Sequence, residues 1–304
     1  MRRHLLGFLT VILAALPLLA RTENVTRKAI FTRKPPLSAA AIALDANAAR
    51  MRLHCFAGCP NLDRDKFDFG RTQIVARGGY VLEESLGDKI PLWVSEFVTK
   101  AQISGNKKRS NKFLPDPLLP KGERAELVDY RGSGFDRGHQ APAGNQTTDA
   151  KLKDETFFLS NMAPQVPSLN QQLWKEIEDM TRDWVELRGE AFEVTGGFFY
   201  DPEEEDPATA DGAVEFEQIG PNKVAVPTHF YKIIIAKKPG TNQMEALAFV
   251  AENVEQERPF DFESLLQSID WIEERTGIDF FPELSAAEEA RLERNAATTL
   301  WPTQ

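Results

Sequence analysis

Cysteine is scarce in this chain: two residues, Cys55 and Cys59, in 304. They stand in His54-Cys55-Phe56-Ala57-Gly58-Cys59-Pro60, and no second cysteine pair exists to complete the four-ligand set of a structural zinc site. A disulfide closing a small loop is the natural reading behind an export signal, with an idle thiol pair or a metal site using His54 as the alternatives. Histidine is also rare, at four residues: His4, His54, His139 and His229. Basic residues are in deficit, 36 Lys and Arg against 46 Asp and Glu, for a net charge of −10. That excludes a nucleic-acid binder driven by whole-molecule charge or a basic tail, although a local basic cleft backed by an acidic far side satisfies the same sum. There is no internal repeat, and no apolar run reaches the about 20 residues that a membrane helix needs. What remains, at 42% hydrophobic and 27% charged, is an ordinary globular composition, neither disordered nor fibrous.

At the N-terminus, Arg2, Arg3 and His4 precede the apolar stretch 5–20, and polar sequence begins at Arg21. This reads as the n- and h-regions of a secretory signal cleaved after Ala20. Leu18 is a poor fit at the −3 position, so an uncleaved N-terminal anchor or a mitochondrial location is the alternative. The expected product is secreted or periplasmic, with no stable membrane association after cleavage. Residues 21–53 read as a linker with a short helix around 39–50, residues 54–284 as a catalytic domain, and residues 285–304 as an acidic C-terminal helix and tail.

Between 54 and 281, short apolar or alternating runs separated by Gly, Pro and Asn predict strands at 75–77, 92–98, 156–159, 191–200, 224–236 and 244–250. Ile233-Ile234-Ile235-Ala236 predicts a strand buried on both faces. From Asn170 onward, Leu173, Ile177, Met180, Trp184 and Leu187 recur at helical spacing, so a long amphipathic helix is expected, stopping at Gly189. Further helices are expected over 262–275 and 286–297. The fold class is α+β, with a mainly antiparallel sheet and one prominent central helix. Charge is unevenly placed: Lys100, Lys107, Lys108, Arg109 and Lys112 share a stretch with no acid, whereas 201–206 carries five carboxylates in six residues. The acidic run reads as a solvated loop, while the basic run precedes the segment that carries the chemistry.

His139 stands in Gly134-Phe135-Asp136-Arg137-Gly138-His139-Gln140-Ala141-Pro142, with a carboxylate and a phosphate-capable guanidinium beside a backbone-permissive glycine. A lone histidine is more often structural than catalytic, but these neighbours raise the catalytic reading. Asn170 and Glu178 are eight residues apart on the expected helix, roughly 80° around its axis, so both can face one cleft. Taken singly, Asn170 reads as a first-turn residue and Glu178 as a solvated carboxylate.

Together these segments resemble the DNA/RNA non-specific endonuclease family of ββα-metal nucleases, most closely its endonuclease G branch. The resemblance is carried by 129–139, by Phe158-Leu159-Ser160-Asn161-Met162-Ala163-Pro164-Gln165, by Leu169-Asn170-Gln171-Gln172-Leu173-Trp174 with Glu178, and by 222–232. It implies a ββα-metal core and Mg²⁺-dependent hydrolysis of DNA and RNA to 5′-phosphorylated products, with Mn²⁺ as a substitute. It further implies His139 as general base, Asn170 as the one protein ligand of the metal, Glu178 orienting the metal's waters, and Asp136 and Arg137 supporting the site. Asn161 matches a cleft-lining position, and Arg109 falls near the family's transition-state arginine, where Lys108 or Lys112 align almost as well. Lys107 and Lys108 are expected to meet substrate phosphates. A homodimer is expected, as in many relatives, and no inhibitor is identified by the sequence. A pseudoenzyme of the same fold and a phosphodiesterase for small nucleotides are the rival readings.

Overall fold

The architecture follows from a computed structural model, which describes residues 39–108, 110–205 and 213–303. The expected signal at 1–20, most of the expected linker, Arg109 and the end of the acidic run lie outside the described residues. Helix α1 spans Ala39–His54, and three strands follow: β1 (Thr72–Ala76), β2 (Val81–Ser85) and β3 (Ile90–Thr99). Two short strands, β4 (Asp136–His139) and β5 (Met162–Gln165), pair antiparallel with His139 opposite Met162. A helical segment opens just after β5, contains a π-helical stretch at Leu169–Trp174, and continues as α2 (Lys175–Arg188) to its end at Gly189. The chain then forms β6 (Glu190–Phe198), β7 (His229–Lys237), β8 (Met244–Glu252), α3 (Ile269–Thr276) and α4 (Ala286–Leu292).

Six strands make one sheet in the order β8-β7-β6-β3-β2-β1, every neighbour antiparallel. The two-residue periodicity of a strand sends alternate side chains of β7 to opposite faces. Phe230 and Ile234 pack with Trp174, Ile177 and Trp184 of the central helix, whereas Tyr231, Ile233 and Ile235 pack with Ile269 and Ile272 of α3 and with Phe280. The double burial read from the isoleucine run is what the sheet shows.

Several expectations are corrected. Residues 156–159 are a buried turn, with Phe157 fully buried and the Thr156 hydroxyl donating to Lys153 O. Strand β2 was not legible because of its two glutamates. Glu83 accepts from Trp93 Nε1 (3.2 Å) and from the Thr72 hydroxyl (2.6 Å), which satisfies a charge in a place where sequence favours an apolar residue. The expected helix over 262–275 begins only at Ile269, after a 3₁₀ turn at Glu263–Leu265.

The N-terminal end of the described chain packs onto the sheet and the C-terminal end onto α2. Arg50 Nη1 donates to Ala76 O, and the Trp184 indole donates to Trp301 O (3.0 Å). Cys55 and Cys59 form a disulfide at the end of α1, which excludes the metal reading of that pair.

Candidate active site

The strands β4 and β5 and the helix after them form a ββα unit that brings the motif residues together. Gly138 is required by close approach: a Cβ there would lie 1.9 Å from Gln165 Oε1 on the paired strand. His139, next along, is therefore held at the end of β4, where its ring meets Phe157 at 5.0 Å and Phe113 at 5.8 Å, edge to face in both cases. Behind it, Asn161 clamps the chain. Its Oδ1 accepts from Ala141 N, and its Nδ2 donates to Ala141 O and Thr156 O, all at 2.9 Å.

His139 opens onto a cleft of about 470 Å³, whose wall also includes Asp136, Arg137, Asn170, Gln171, Lys175, Glu178, Arg182 and Phe113. Asp136 Oδ2 accepts from Asn170 Nδ2 (2.8 Å) and from Gln171 Nε2 (2.7 Å). A carboxylate can only accept, so this pairing fixes the Asn170 amide with its NH₂ toward Asp136 and its carbonyl oxygen turned away. The π-helical stretch carries Asn170 at this point, as π-bulges often do at functional sites. It also replaces the uniform helix on which the 80° separation from Glu178 was reckoned, yet both residues still reach one cleft.

Burial pushes the Glu178 carboxyl up to about 7, against the pull of Lys232 and Arg182. An acid so raised is a group that a cation would hold ionised. Together with the oriented amide oxygen of Asn170, it offers the oxygen donors that suit a hard divalent ion. The Arg137 guanidinium lies 4.2 Å above the Phe113 ring.

Five expected residues, His139, Asp136, Arg137, Asn170 and Glu178, line this cleft. Asn161 does not: it is fully buried behind His139 and acts on the chain rather than on a ligand. Lys107 and Lys108 are exposed on the loop that leads into Phe113, outside the cleft wall, and Arg109 lies outside the described residues. Seven cleft residues were not expected at the site: Phe113, the turn Pro142-Ala143-Gly144, Gln171, Lys175 and Arg182. Gln171, Lys175 and Arg182 complete, with Glu178, a polar stripe at spacings of four, three and four, so the signal was present beside the apolar stripe. Phe113 gave no signal.

The sequence profile described as DNA/RNA non-specific endonuclease matches residues 61–287. The chain belongs to this family. Membership makes it a nucleic-acid endonuclease in a metal-dependent family. Over 220 residues this endonuclease is 38% identical to "Endonuclease G, mitochondrial" of Bos taurus, covering 71% of this chain and 72% of that one. Over 238 residues it is 35% identical to "Nuclease EXOG, mitochondrial" of Homo sapiens, covering 75% of this chain and 62% of that one. Among solved structures, it resembles a chain from the EndoG/EndoGI complex, a structure titled for the mechanism of EndoG inhibition. There the TM-score is 0.67 at 30% identity, covering 72% of this chain and 89% of that one.

These relatives correct the expected location. Both nucleases are named as mitochondrial, which overturns the reading of a secreted or periplasmic protein. The physical reason lies in composition: Glu23 is the only acid in the first 44 residues, and an apolar, arginine-bearing, acid-poor start is shared by export signals and organelle presequences.

Proposed function

We propose that this endonuclease cuts DNA and RNA without base preference, with His139 as the general base that takes a proton from the attacking water. The observation that carries this reading is the convergence of His139, the Asp136-oriented amide of Asn170, Glu178 and three cations on one cleft. A neutral imidazole is suited to accept a proton near neutral pH. Arg137, Lys175 and Arg182 face the negative charge of a phosphodiester, and contacts to phosphate rather than to base edges give little sequence preference. Asn170, through its carbonyl oxygen, would hold Mg²⁺, with Mn²⁺ as a substitute, and Glu178 would orient the waters of that ion. When bound, such an ion supplies positive charge to the phosphate and the leaving oxygen. Asp136 keeps the Asn170 amide from turning, and Phe113 and Phe157 hold the imidazole edge-on.

The direct test is incubation of the purified protein with plasmid and with ribosomal RNA, in Mg²⁺ and in EDTA. Both substrates are expected to be cut to 5′-phosphorylated fragments in Mg²⁺ and neither in EDTA. Intact plasmid in Mg²⁺ would overturn the reading, and cleavage of a dinucleotide alone would replace it with a small-nucleotide phosphodiesterase. Asn170→Ala is expected to abolish both activity and calorimetric Mg²⁺ binding. The reading includes a homodimer, checked by light scattering, and a mitochondrial location directed by the basic N-terminus, checked by import into isolated mitochondria.

A further inference from the structure

Beneath the cleft the sheet carries an ionic centre that the catalytic reading does not use. Glu96 on β3 and Glu193 on β6 are register partners, and Lys232 on β7 lies next to Glu193, all three within 1% of full burial. Lys232 Nζ donates to Glu193 Oε2 (2.8 Å) and to the Thr195 hydroxyl (2.8 Å). Burial, and then repulsion from Glu193, holds the Glu96 carboxyl well above the usual carboxylate range.

One side chain joins this centre to the cleft. Asn145 ends the 3₁₀ turn Ala143–Asn145 and is itself only 1% exposed. Its Nδ2 donates one hydrogen to Glu96 Oε1 (2.9 Å) and the other to Glu193 Oε1 (3.0 Å). With both donors committed to carboxyl groups, Asn145 can present only its Oδ1 to the cleft, and there it accepts from Arg182 Nη1 (3.4 Å). Gly144 completes the enclosure, since a Cβ on it would lie 2.8 Å from Arg182 Nη1 and 3.1 Å from Arg182 Cζ. Asp179 grips the same guanidinium from one turn back on α2. The burial of Asn145 also removes the Asn145-Gln146-Thr147 sequon as a glycosylation site.

We propose that Gly144 and Asn145 form a socket that positions the Arg182 guanidinium in the cleft, with the buried Glu96–Glu193–Lys232 centre as its anchor. The buried charges serve the site by fixing which way the Asn145 amide points, and Asn145 is a positioning residue that acts through Arg182. This inference rests on the proposed nuclease reading only where its test measures turnover.

The test uses Asn145→Ala and Gly144→Ala, each alone and combined with Arg182→Ala. Asn145→Ala strips donors from two buried carboxyls and can fail to fold. Gly144→Ala meets only the far end of a flexible side chain, so it is expected to keep its fold, checked by circular dichroism and Tm. Crystal structures of the folded single variants are expected to show the guanidinium displaced from its wild-type place. Each single variant is expected to lose roughly 10-fold in kcat/KM on DNA, the usual scale for a hydrogen bond to a charged group. In the Arg182→Ala background the same change is expected to cost less than about twofold, because residues acting through one another are not additive. An unmoved guanidinium in Gly144→Ala, or equal losses with and without Arg182, would overturn the socket. Wild-type protein that cuts neither DNA nor RNA would overturn the nuclease reading instead, with the guanidinium position still deciding the socket.

Discussion

Two buried histidines on opposite faces of the sheet are held differently, one wholly by the backbone and one in the wall of the cleft. His54, 1% exposed at the end of α1, has both ring nitrogens committed to backbone. Nδ1 accepts from Phe97 N (3.1 Å), so Nε2 carries the hydrogen and donates to Gly78 O (3.1 Å). Burial lowers its pKa to about 4, and it stays neutral. His139, 8% exposed, is framed by phenyl edges and opens onto the cleft. The difference is one of place rather than depth: His54 is turned wholly to backbone, and a ring whose two nitrogens are taken up in that way has no lone pair to offer a water molecule, whereas His139 forms part of the cleft wall.

The largest expected effect follows from this contrast. His139→Ala is expected to cut turnover by about 10²- to 10⁴-fold with little change in Tm, as for loss of a general base. His54→Ala is expected to do the reverse. It leaves two buried backbone groups without partners and costs about 1–3 kcal/mol of stability, while the folded fraction keeps its kcat. Equal loss of turnover in a folded His54→Ala would break the comparison.

The second effect is in stability against pH, where the two faces carry opposite signs. For His54 the folded pKa of about 4 lies below the unfolded value of 6.5. Its contribution is therefore complete above pH 6.5 and is lost as pH falls toward 4, about 3 kcal/mol in all at 1.36 kcal/mol per unit. For Glu178 the folded pKa of about 7 lies above the unfolded value of 4.5. Its contribution is present below pH 4.5 and is lost as pH rises through 7, so the metal-free cleft opposes stability in its working range. Urea unfolding in EDTA at pH 5 and pH 8 should show Glu178→Gln gaining on wild type only at the higher pH. Unfolding at pH 7 and pH 4.5 should show a smaller acid loss in His54→Gln than in wild type. Parallel pH curves for wild type and either variant would remove that group as the cause.

The same contrast explains what the sequence disclosed. That the Asp136-to-His139 tetrad, Asn170 and Glu178 share one cleft was legible because they stand in motifs of fixed residue types at fixed separations, and the apolar stripe of α2 fixed the helix that presents two of them. Asn161 sits in an equally recognisable motif, yet its polar atoms are consumed by Ala141 and Thr156, so motif membership did not separate a ligand from a clamp. Phe113 and the Asn145 link to Arg182 were hidden because they depend on contacts between residues far apart in the chain, which no local spacing records. Strand β2 was hidden because its two buried glutamates look like surface residues in sequence, although Glu83 is satisfied by Thr72 and Trp93 on the neighbouring strands.

A sharper probe of the cleft is Asp136→Asn. The substitution preserves shape but lets residue 136 donate as well as accept, so the Asn170 amide is no longer held in one orientation. A change of this kind behind a metal ligand typically costs about 10- to 100-fold. The loss should appear as a higher Mg²⁺ requirement, measured by titrating activity with Mg²⁺. A loss in kcat at unchanged Mg²⁺ dependence would show instead that Asp136 serves the substrate.

The smallest expected effect concerns the rim. Lys107 and Lys108 are exposed, but their loop is tied down through its backbone: Lys107 N donates to Thr147 O (2.9 Å), and Lys107 O accepts from Lys153 Nζ (2.7 Å). Replacing both side chains with alanine should therefore leave the fold intact and remove only charge. Against a molecule of net charge −10, such local cations are what makes approach to a polyanion favourable. For every phosphate that no longer meets a lysine, the plot of log affinity against log salt should flatten by about 0.9 for duplex DNA, and by about 0.7 for a single strand. The doubly substituted protein should thus weaken on all sequences alike, by a few-fold at low salt and hardly at all at high salt, with kcat unchanged. Binding to labelled duplexes in EDTA across a salt series measures this apart from cleavage. An unchanged slope would make the loop a solvated one and leave Arg137, Lys175 and Arg182 inside the cleft as the cations that substrate meets.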